Sequence, residues 1–365
     1  MQTPQRMFPR MALAQGLALL MVLGSALAAP VVEPHYFVAV DSLATLTSGT
    51  YAGLPNPNFC RLTFLFAHPS EEDPGSSHFH AIGAYSYTGP AESPTVIPTN
   101  ANNRIPELST GALPLRLLPG TGVFEGRLAS RPTGEEYSDL RLASVQVLSG
   151  FPADSIEGFL FHSSEGRWTA PLTDAVVALQ RVSLTPGLHL AEATGEEVPP
   201  EGLHPLGDGD TFRVAPVDWA ESTAAVGTYS ATWKLVDVGT GETRLGESGR
   251  FTFDFRVPAP GDLDGDNDAD VYDLISIVHA IGTPATGPDD PRDLNHDGTI
   301  DHLDAQLYAA QFFPDAPADA GDLISIVTAL GTPAASADDP RDLNHDGAID
   351  AADTQQLAAQ LLAVP

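Results

Sequence analysis

The sequence predicts two unlike parts: a mainly β, sandwich or jelly-roll-like domain, then a small α-helical domain organised around Asp-rich loops. Three observations carry this reading. Short β-branched and aromatic runs alternate with turn residues from Val31 to Phe255. The stretch Val257-Pro258-Ala259-Pro260-Gly261 then interrupts the chain with Pro and Gly. Beyond it, short helical runs separated by aspartates recur in a long internal repeat.

Taken in order, the chain of 365 residues is long enough for two domains of ordinary size. Residues 1–28 read as a secretory signal peptide. Arg6 and Arg10 supply positive charge, Met11 to Leu23 is an apolar run, and Ala26-Leu27-Ala28 offers a cleavage site. An apolar run of about 13 residues is too short to span a bilayer. No second long apolar stretch follows, so the mature protein is expected outside the cell, secreted or surface-associated, with no transmembrane segment. The single cysteine, Cys60, cannot form an internal disulfide, so stapling must come from core packing or metal. A net charge of −31 excludes nucleic acid and anionic membranes as natural partners.

The β domain is assigned to residues 29–256, with strand-like runs at His35 to Val40, Arg61 to Ala67, Ala81 to Tyr87, Ser144 to Leu148, Ala175 to Val182, Thr228 to Val236 and Arg250 to Phe255. In the last, Phe251, Phe253 and Phe255 fall on one face by their period of two, and no long helical period appears in this region. Its histidines are a candidate metal site. His78 and His80, two apart on a strand, share a face. A hairpin through Pro69 to Ser77 would bring His68 beside them, and a neighbouring strand could carry His35. Three or four neutral imidazoles about 2 Å from an ion suit zinc, with Glu71, Glu72 or Asp73 as additional ligands. His162, His189 and His204 read as structural or solvated, and Glu135-Glu136 as turn or surface charges.

Residues 257–261 read as a linker and 262–365 as the second domain, which holds 21 Asp, no Glu and two basic residues, Arg292 and Arg341. A solvating tail would use Glu as readily, so exclusive Asp implies short carboxylates at defined positions. Asp273 to Gln306 aligns with Asp322 to Gln355 at a spacing of 49, with 25 of 34 positions identical. Calcium takes six to eight oxygen ligands. A twelve-residue loop supplies them from side chains at positions 1, 3, 5, 9 and 12 and the carbonyl at 7, with a sharp turn at 6. Asp293, Asn295, Asp297, Thr299, Asp301 and Asp304 fit, with Gly298 at the turn. Asp342, Asn344, Asp346, Ala348, Asp350 and Asp353 fit, with Gly347. Asp262, Asp264, Asp266, Asp270 and Asp273 form a third loop with Asn267 at the turn, since Asn tolerates the left-handed conformation. A fourth, beginning at Gln311-Phe312-Phe313, has lost its ligands. Ile300 and Ile349, at position 8, are expected to pack each loop against its partner, and His296 and His345, at position 4, to point outward.

Asp rather than Glu at position 12 distinguishes these loops from the usual EF-hand, and the segment resembles tandem type I dockerin repeats over its whole length. That resemblance implies docking onto a cohesin-like or cell-surface partner. The partner-choosing positions read Val271-Tyr272, His302-Leu303 and Ala351-Ala352, too dissimilar for symmetric dual-mode docking. The β domain also carries the segments H-Y-F-V-A-V-D, S-G-T-Y-A-G-L-P-N-P-N, R-L-T-F-L-F-A-H, H-F-H-A-I-G-A-Y-S-Y-T-G-P, N-N-R-I-P-E and G-T-Y-S-A-T-W-K-L-V-D. Together they resemble a bacterial secreted family that is repressed by the zinc-uptake regulator and often ends in a PEP-CTERM sorting tail. H-x-H further resembles surface-anchored proteins associated with zinc transporters. These likenesses imply a zinc-responsive extracellular protein that binds zinc through its histidines; this chain has the dockerin-like module where the family often has the tail. The alternative is an enzyme or carbohydrate-binding component of a polysaccharide-degrading assembly. Against catalysis, no paired-carboxylate constellation, G-x-S-x-G or H-E-x-x-H stands out.

Overall fold

The computed structural model describes residues 35–199, 202–241, 244–287, 290–313, 325–327, 329–336, 338–350, 352–354 and 356–357. The expected signal peptide lies outside these residues. The described chain is mainly β. One five-stranded sheet has the order β14 (Arg213–Val214), β10 (Leu142–Ser144), β1 (Tyr36–Val40), β2 (Leu62–His68) and β3 (His78–Ile82). A second sheet has the order β13 (Leu203–Asp208), β11 (Val176–Leu184), β16 (Gly227–Asp237), β17 (Phe251–Val257) and β6 (Arg104–Ile105), with β7 (Leu115–Arg116) also paired to β17. A third has β12 (Leu188–Ala191), β15 (Val217–Glu221), β9 (Arg127–Ala129) and β8 (Leu118–Pro119), and β4 (Ser86–Thr88) pairs with β5 (Thr95–Ile97).

The strand period of two assigns each residue of β1 and β2 to one of two apolar layers. Tyr36, Val38, Val40, Leu62, Phe64 and Phe66 face Val177, Leu179, Trp233, Phe251 and Phe255 of the second sheet in the principal core. Phe64 stacks on Phe251 at 4.0 Å between ring centres. On the other side, Phe37, Ala39, Leu65 and Ala67 pack with Phe79, Leu148, Leu160 and Trp168. Helix α1 (Ile156–His162) and the 3-10 turn Val145–Leu148 supply that outer cover. Burial on both faces is why R-L-T-F-L-F-A-H is continuously apolar rather than alternating. On β17, the Phe face lies toward the core as the period predicts, while the opposite face is closed by polar pairing. Asp254 accepts from Arg104 and, at 2.6 Å, from the Ser230 hydroxyl, and the Thr232 and Thr252 hydroxyls meet at 2.9 Å.

Two expected strands differ. Ser144 ends β10, and its hydroxyl accepts from the Gln146 N–H to cap the 3-10 turn that follows, so Val145 to Leu148 is not a strand. The run Ala81 to Tyr87 breaks at Gly83, which has φ +69° and presses so closely on β17 that a Cβ there would lie 2.0 Å from the Arg250 carbonyl oxygen. Gly83→Ala is therefore expected to cost about 2–4 kcal/mol. A thermal unfolding midpoint equal to that of the parent would contradict this.

In the C-terminal part, α2 (Val271–Ala280) and α3 (His302–Phe312) share an apolar cluster of Leu274, Ile277, Val278, Ile300, Ala305 and Tyr308. α2 ends at Ala280, and Gly282, two residues beyond, takes φ +88°, the left-handed conformation that suits glycine after a helix. Short pairs β18 (Thr283–Pro284) with β19 (Thr299–Ile300), and β20 (Thr332–Pro333) with β21 (Ala348–Ile349), alter one expectation. Ile300 and Ile349 do not pair with another acidic loop; each pairs with the Gly-Thr-Pro segment after the preceding helix, and both are fully buried.

Candidate metal centre

The β2–β3 hairpin sets the histidines by register. His68 lies opposite His78, and Phe66 opposite His80, so the three imidazoles gather at the loop end of one sheet face. The loop between them is shaped by short polar links: Ser70 N–H to Ser77 Oγ at 3.0 Å, and Asp73 N–H to Ser70 Oγ at 3.1 Å. Ring centres lie 4.3 Å apart for His68–His80, 4.9 Å for His78–His80 and 5.2 Å for His68–His78.

A buried carboxylate completes the group. Glu107 is 1% exposed and lies just beyond β6, after Pro106. Its Oε2 lies 2.9 Å from His68 Nε2 and its Oε1 2.7 Å from His80 Nδ1. Asn102 Nδ2 donates to Oε1 at 2.5 Å and the Tyr137 hydroxyl to Oε2 at 3.3 Å, so both oxygens are oriented at the histidines. His68 Nε2 and His80 Nδ1 are 3.1 Å apart, and ligand atoms of His68, His80 and Glu107 all lie within 4.8 Å of one another. Two ligands on a tetrahedral zinc sit about 3.3 Å apart, so a few tenths of an ångström of outward movement would admit an ion. His78 Nε2 lies 3.2 Å from His80 Nε2 at the exposed rim, while its Nδ1 faces the Ser76 carbonyl at 2.9 Å.

Charge follows geometry. Burial works to raise the Glu107 carboxyl, but hydrogen bonds from His68, Asn102 and His80 carry it down to about 2. Burial likewise opposes a charged His68, yet the Glu107 hydrogen bond and the charges of Glu107 and Glu136 raise its pKa. The Tyr137 hydroxyl is pushed up by burial and then by the Glu136 and Glu107 charges, so it stays a donor.

Of the histidines expected here, His68 and His80 share the carboxylate and His78 borders them. His35 stands apart: its Nδ1 is 3.4 Å from the Glu136 carbonyl and its ring packs edge-on to Phe66. Glu71, Glu72 and Asp73 are exposed and outside the His68–His80–Glu107 group. The acid that sequence reasoning does not single out is Glu107; its one signal is its place in N-N-R-I-P-E. Glu136, read as a surface charge, is 56% exposed but reaches His68 Nδ1 at 3.2 Å. His189 stacks on Trp219 at 4.2 Å and pairs with Glu197 at 2.8 Å, and His204 is buried.

The acidic loops share one backbone. Positions 4 and 6 are left-handed in all three: Gly265 and Asn267, His296 and Gly298, His345 and Gly347. The Asp at position 12 closes each loop and begins its helix. Asp273 Oδ1 accepts from Leu263 N–H at 2.6 Å and Oδ2 from Asp270 N–H at 2.7 Å. Asp304 accepts from Asn295 and Asp301, and Asp353 from Leu343 and Asp350, in the same way. In the first two loops this is a capping box, with Asp270 and Asp301 as N-caps of α2 and α3. Asp262, Asp264 and Asp273 bring carboxylate oxygens within 4.8 Å of one another, as do Asp266, Asp268 and Asp270. Burial, together with Asp273, Asp266 and Asp270, raises the Asp264 carboxyl, the mark of crowded negative charge. In the second and third loops Asn295 Nδ2 meets Asp297 Oδ2 at 2.9 Å and Asn344 Nδ2 meets Asp346 Oδ2 at 3.0 Å, while Asp297 Oδ1 accepts from Thr299 N–H and Asp346 Oδ1 from Ala348 N–H, both at 2.9 Å. At the eroded position, Phe312 and Phe313 pack around Tyr308; residues 314–324, on which the rest of that loop falls, are not among those described. The repeated D-D-P-R is structural: Asp290 takes Arg292, and Asp339 takes Arg341, through paired guanidinium hydrogen bonds.

No protein-family model matches this chain, and no curated protein or solved structure shows significant similarity to it.

Proposed function

We propose that the chain is an extracellular or cell-surface zinc-binding protein that captures or stores the metal. In this reading a β-sandwich carries the metal centre, and a calcium-loaded, dockerin-like module attaches the protein to a cohesin-like partner. The carrying observation is the convergence of His68, His80 and buried Glu107, whose ligand atoms lie within 4.8 Å of one another. Two imidazoles and a carboxylate are a donor set that zinc accepts, and His78 borders it at the rim, 3.2 Å from the other ring nitrogen of His80. The acidic loops suit calcium through hard oxygen donors at alternate positions. Zinc would act here as cargo held by these side chains.

The carbohydrate-binding alternative draws no support from the tryptophans. Trp168, Trp219 and Trp233 are 8%, 3% and 3% exposed, so none offers a free face to a sugar ring.

Full-length protein produced with ample zinc is expected to carry about one zinc per chain, measured by elemental analysis, and His78→Ala/His80→Ala protein is expected to lose it. Parent protein free of zinc would sink the reading. In a separate calcium titration, about three ions are expected.

A further inference from the structure

The three acidic loops differ in how they hold the carboxylate at position 1. In the second, both oxygens of the position 1 carboxylate are held inside the loop: Asp293 Oδ1 accepts from Asp297 N–H at 3.1 Å and Oδ2 from Gly298 N–H at 2.9 Å. The third repeats this, with Asp342 accepting from Asp346 and Gly347 at 3.1 and 2.9 Å. In the first, Asp262 Oδ1 accepts from Gly265 N–H at 2.6 Å, but Oδ2 takes Arg256 Nη1 of strand β17 at 3.1 Å. The side chains of this pair are 7% and 0% exposed.

Arg256 is 6% exposed, and its main chain is fixed in β17. Its backbone pairs with Thr228 and Arg116, and its carbonyl accepts from Leu117 N–H at 2.9 Å. The Arg256 Nε is buried without a partner, as is that of Arg116, and burial followed by the Arg256 charge lowers the Arg116 pKa. Two guanidinium groups therefore crowd this spot, beside a cavity of about 460 Å³ also lined by Glu135, Glu136, Tyr137, Asp290 and Arg292. The same seam is tight elsewhere. A Cβ at Gly265 would lie 2.6 Å from Leu113, and one at Gly134 2.8 Å from the Thr286 carbonyl oxygen.

We propose that Arg256 competes with a divalent cation for Asp262, so that filling loop 262–273 loosens the C-terminal segment from strands β7 and β17, while filling the other two loops does not. The proposal rests on the calcium reading above. A cation drawn to Asp262 meets a guanidinium held beside the same carboxylate, and the two repel. Taking Asp262 from Arg256 also leaves a buried guanidinium uncompensated. Both effects weaken this loop alone, making it the last to fill and coupling its occupancy to the seam beside Glu135–Tyr137, one flank of the histidine centre.

Calcium titration of the full chain by calorimetry, followed by hydrogen exchange, tests this. Two sites should fill first, with the third about tenfold weaker or more. Peptides covering 113–117 and 251–257 should lose protection as that third site fills. Arg256→Met should bring the third site close to the other two, and Arg256→Lys should keep the gap. An Arg256→Met chain with unchanged or weaker third-site binding would overturn the proposal, since Arg256 would then support the ion. If Arg256→Met does not fold, unchanged protection in the parent as the third site fills overturns it. Three equivalent ions would overturn this proposal alone; no calcium uptake at all would overturn the calcium reading and this proposal with it.

Discussion

Asp218→Asn is expected to make the protein more stable than the parent at pH 8 and no more stable at pH 4. Asp218, on β15, is 3% exposed, its Oδ1 has no hydrogen-bond partner, and it faces Tyr36, Leu190, Trp233 and Phe253 in the principal core. Burial alone pushes its carboxyl up to about 8. The sign follows from which state ionises first. Below the ordinary value of 3.8 both folded and unfolded chains hold the proton; between 3.8 and 8 only the unfolded chain releases it. Stability therefore falls as pH rises across that window, by about 1.4 kcal/mol per unit, and levels off above it. The total is on the order of 6 kcal/mol. An uncharged Asn removes this dependence, at a cost of about 1–3 kcal/mol for its unpaired amide. Thermal unfolding of both proteins from pH 4 to 8 checks the result. A difference in midpoint that stays constant across pH would refute it.

Replacing Glu107 carries the largest expected effect on metal. Glu107→Ala should weaken the proposed zinc binding by about a hundredfold or more, since in that reading it removes a ligand and the group that orients two others. Glu107→Gln should do nearly as much by removing charge while keeping shape. The metal-free protein gives an independent check. The His68 pKa is raised, so its ion pair contributes fully below 6.5 and fades as pH rises through the higher folded value. Glu107 is lowered from 4.5 to about 2, so its contribution is complete above 4.5 and is lost as pH falls toward 2. The parent should therefore exceed Glu107→Gln in stability most between about pH 4.5 and 6.5. Competition with a zinc-sensitive dye, and metal-free unfolding across pH, measure the two effects. Zinc affinity equal to the parent's would remove Glu107 from the centre.

Much of the local structure was legible along the chain. The period-two placement of Phe251, Phe253 and Phe255, the stop at Gly282 and the turn at Asn267 are set by the backbone preferences of those residues and need no distant partner. The Ser144 to Leu148 run misled because a Ser side chain captured its neighbour's N–H, a local competition that hydrophobic pattern does not reveal. The position of Ile300 in its loop predicts packing against a partner loop. Which strand a two-residue segment finds depends on how the preceding helix delivers the chain back, so it pairs instead with Thr283.

The H-x-H spacing on a strand placed His78 and His80 on one face by itself, because alternation is a property of the extended backbone. The alternating aspartates likewise announced their loops, since every donor of such a loop comes from one short stretch. Tertiary structure alone brought Glu107 to His68 across 39 residues of sequence, set Arg256 of β17 against Asp262, and left the Asp218 Oδ1 without a hydrogen-bond partner in the core. Each of these is a charge whose meaning depends on what surrounds it after burial. Desolvation and long-range pairing leave no periodic trace in the chain, so only the packed sheets decide whether a carboxylate becomes a ligand, a counter-ion or a neutral acid.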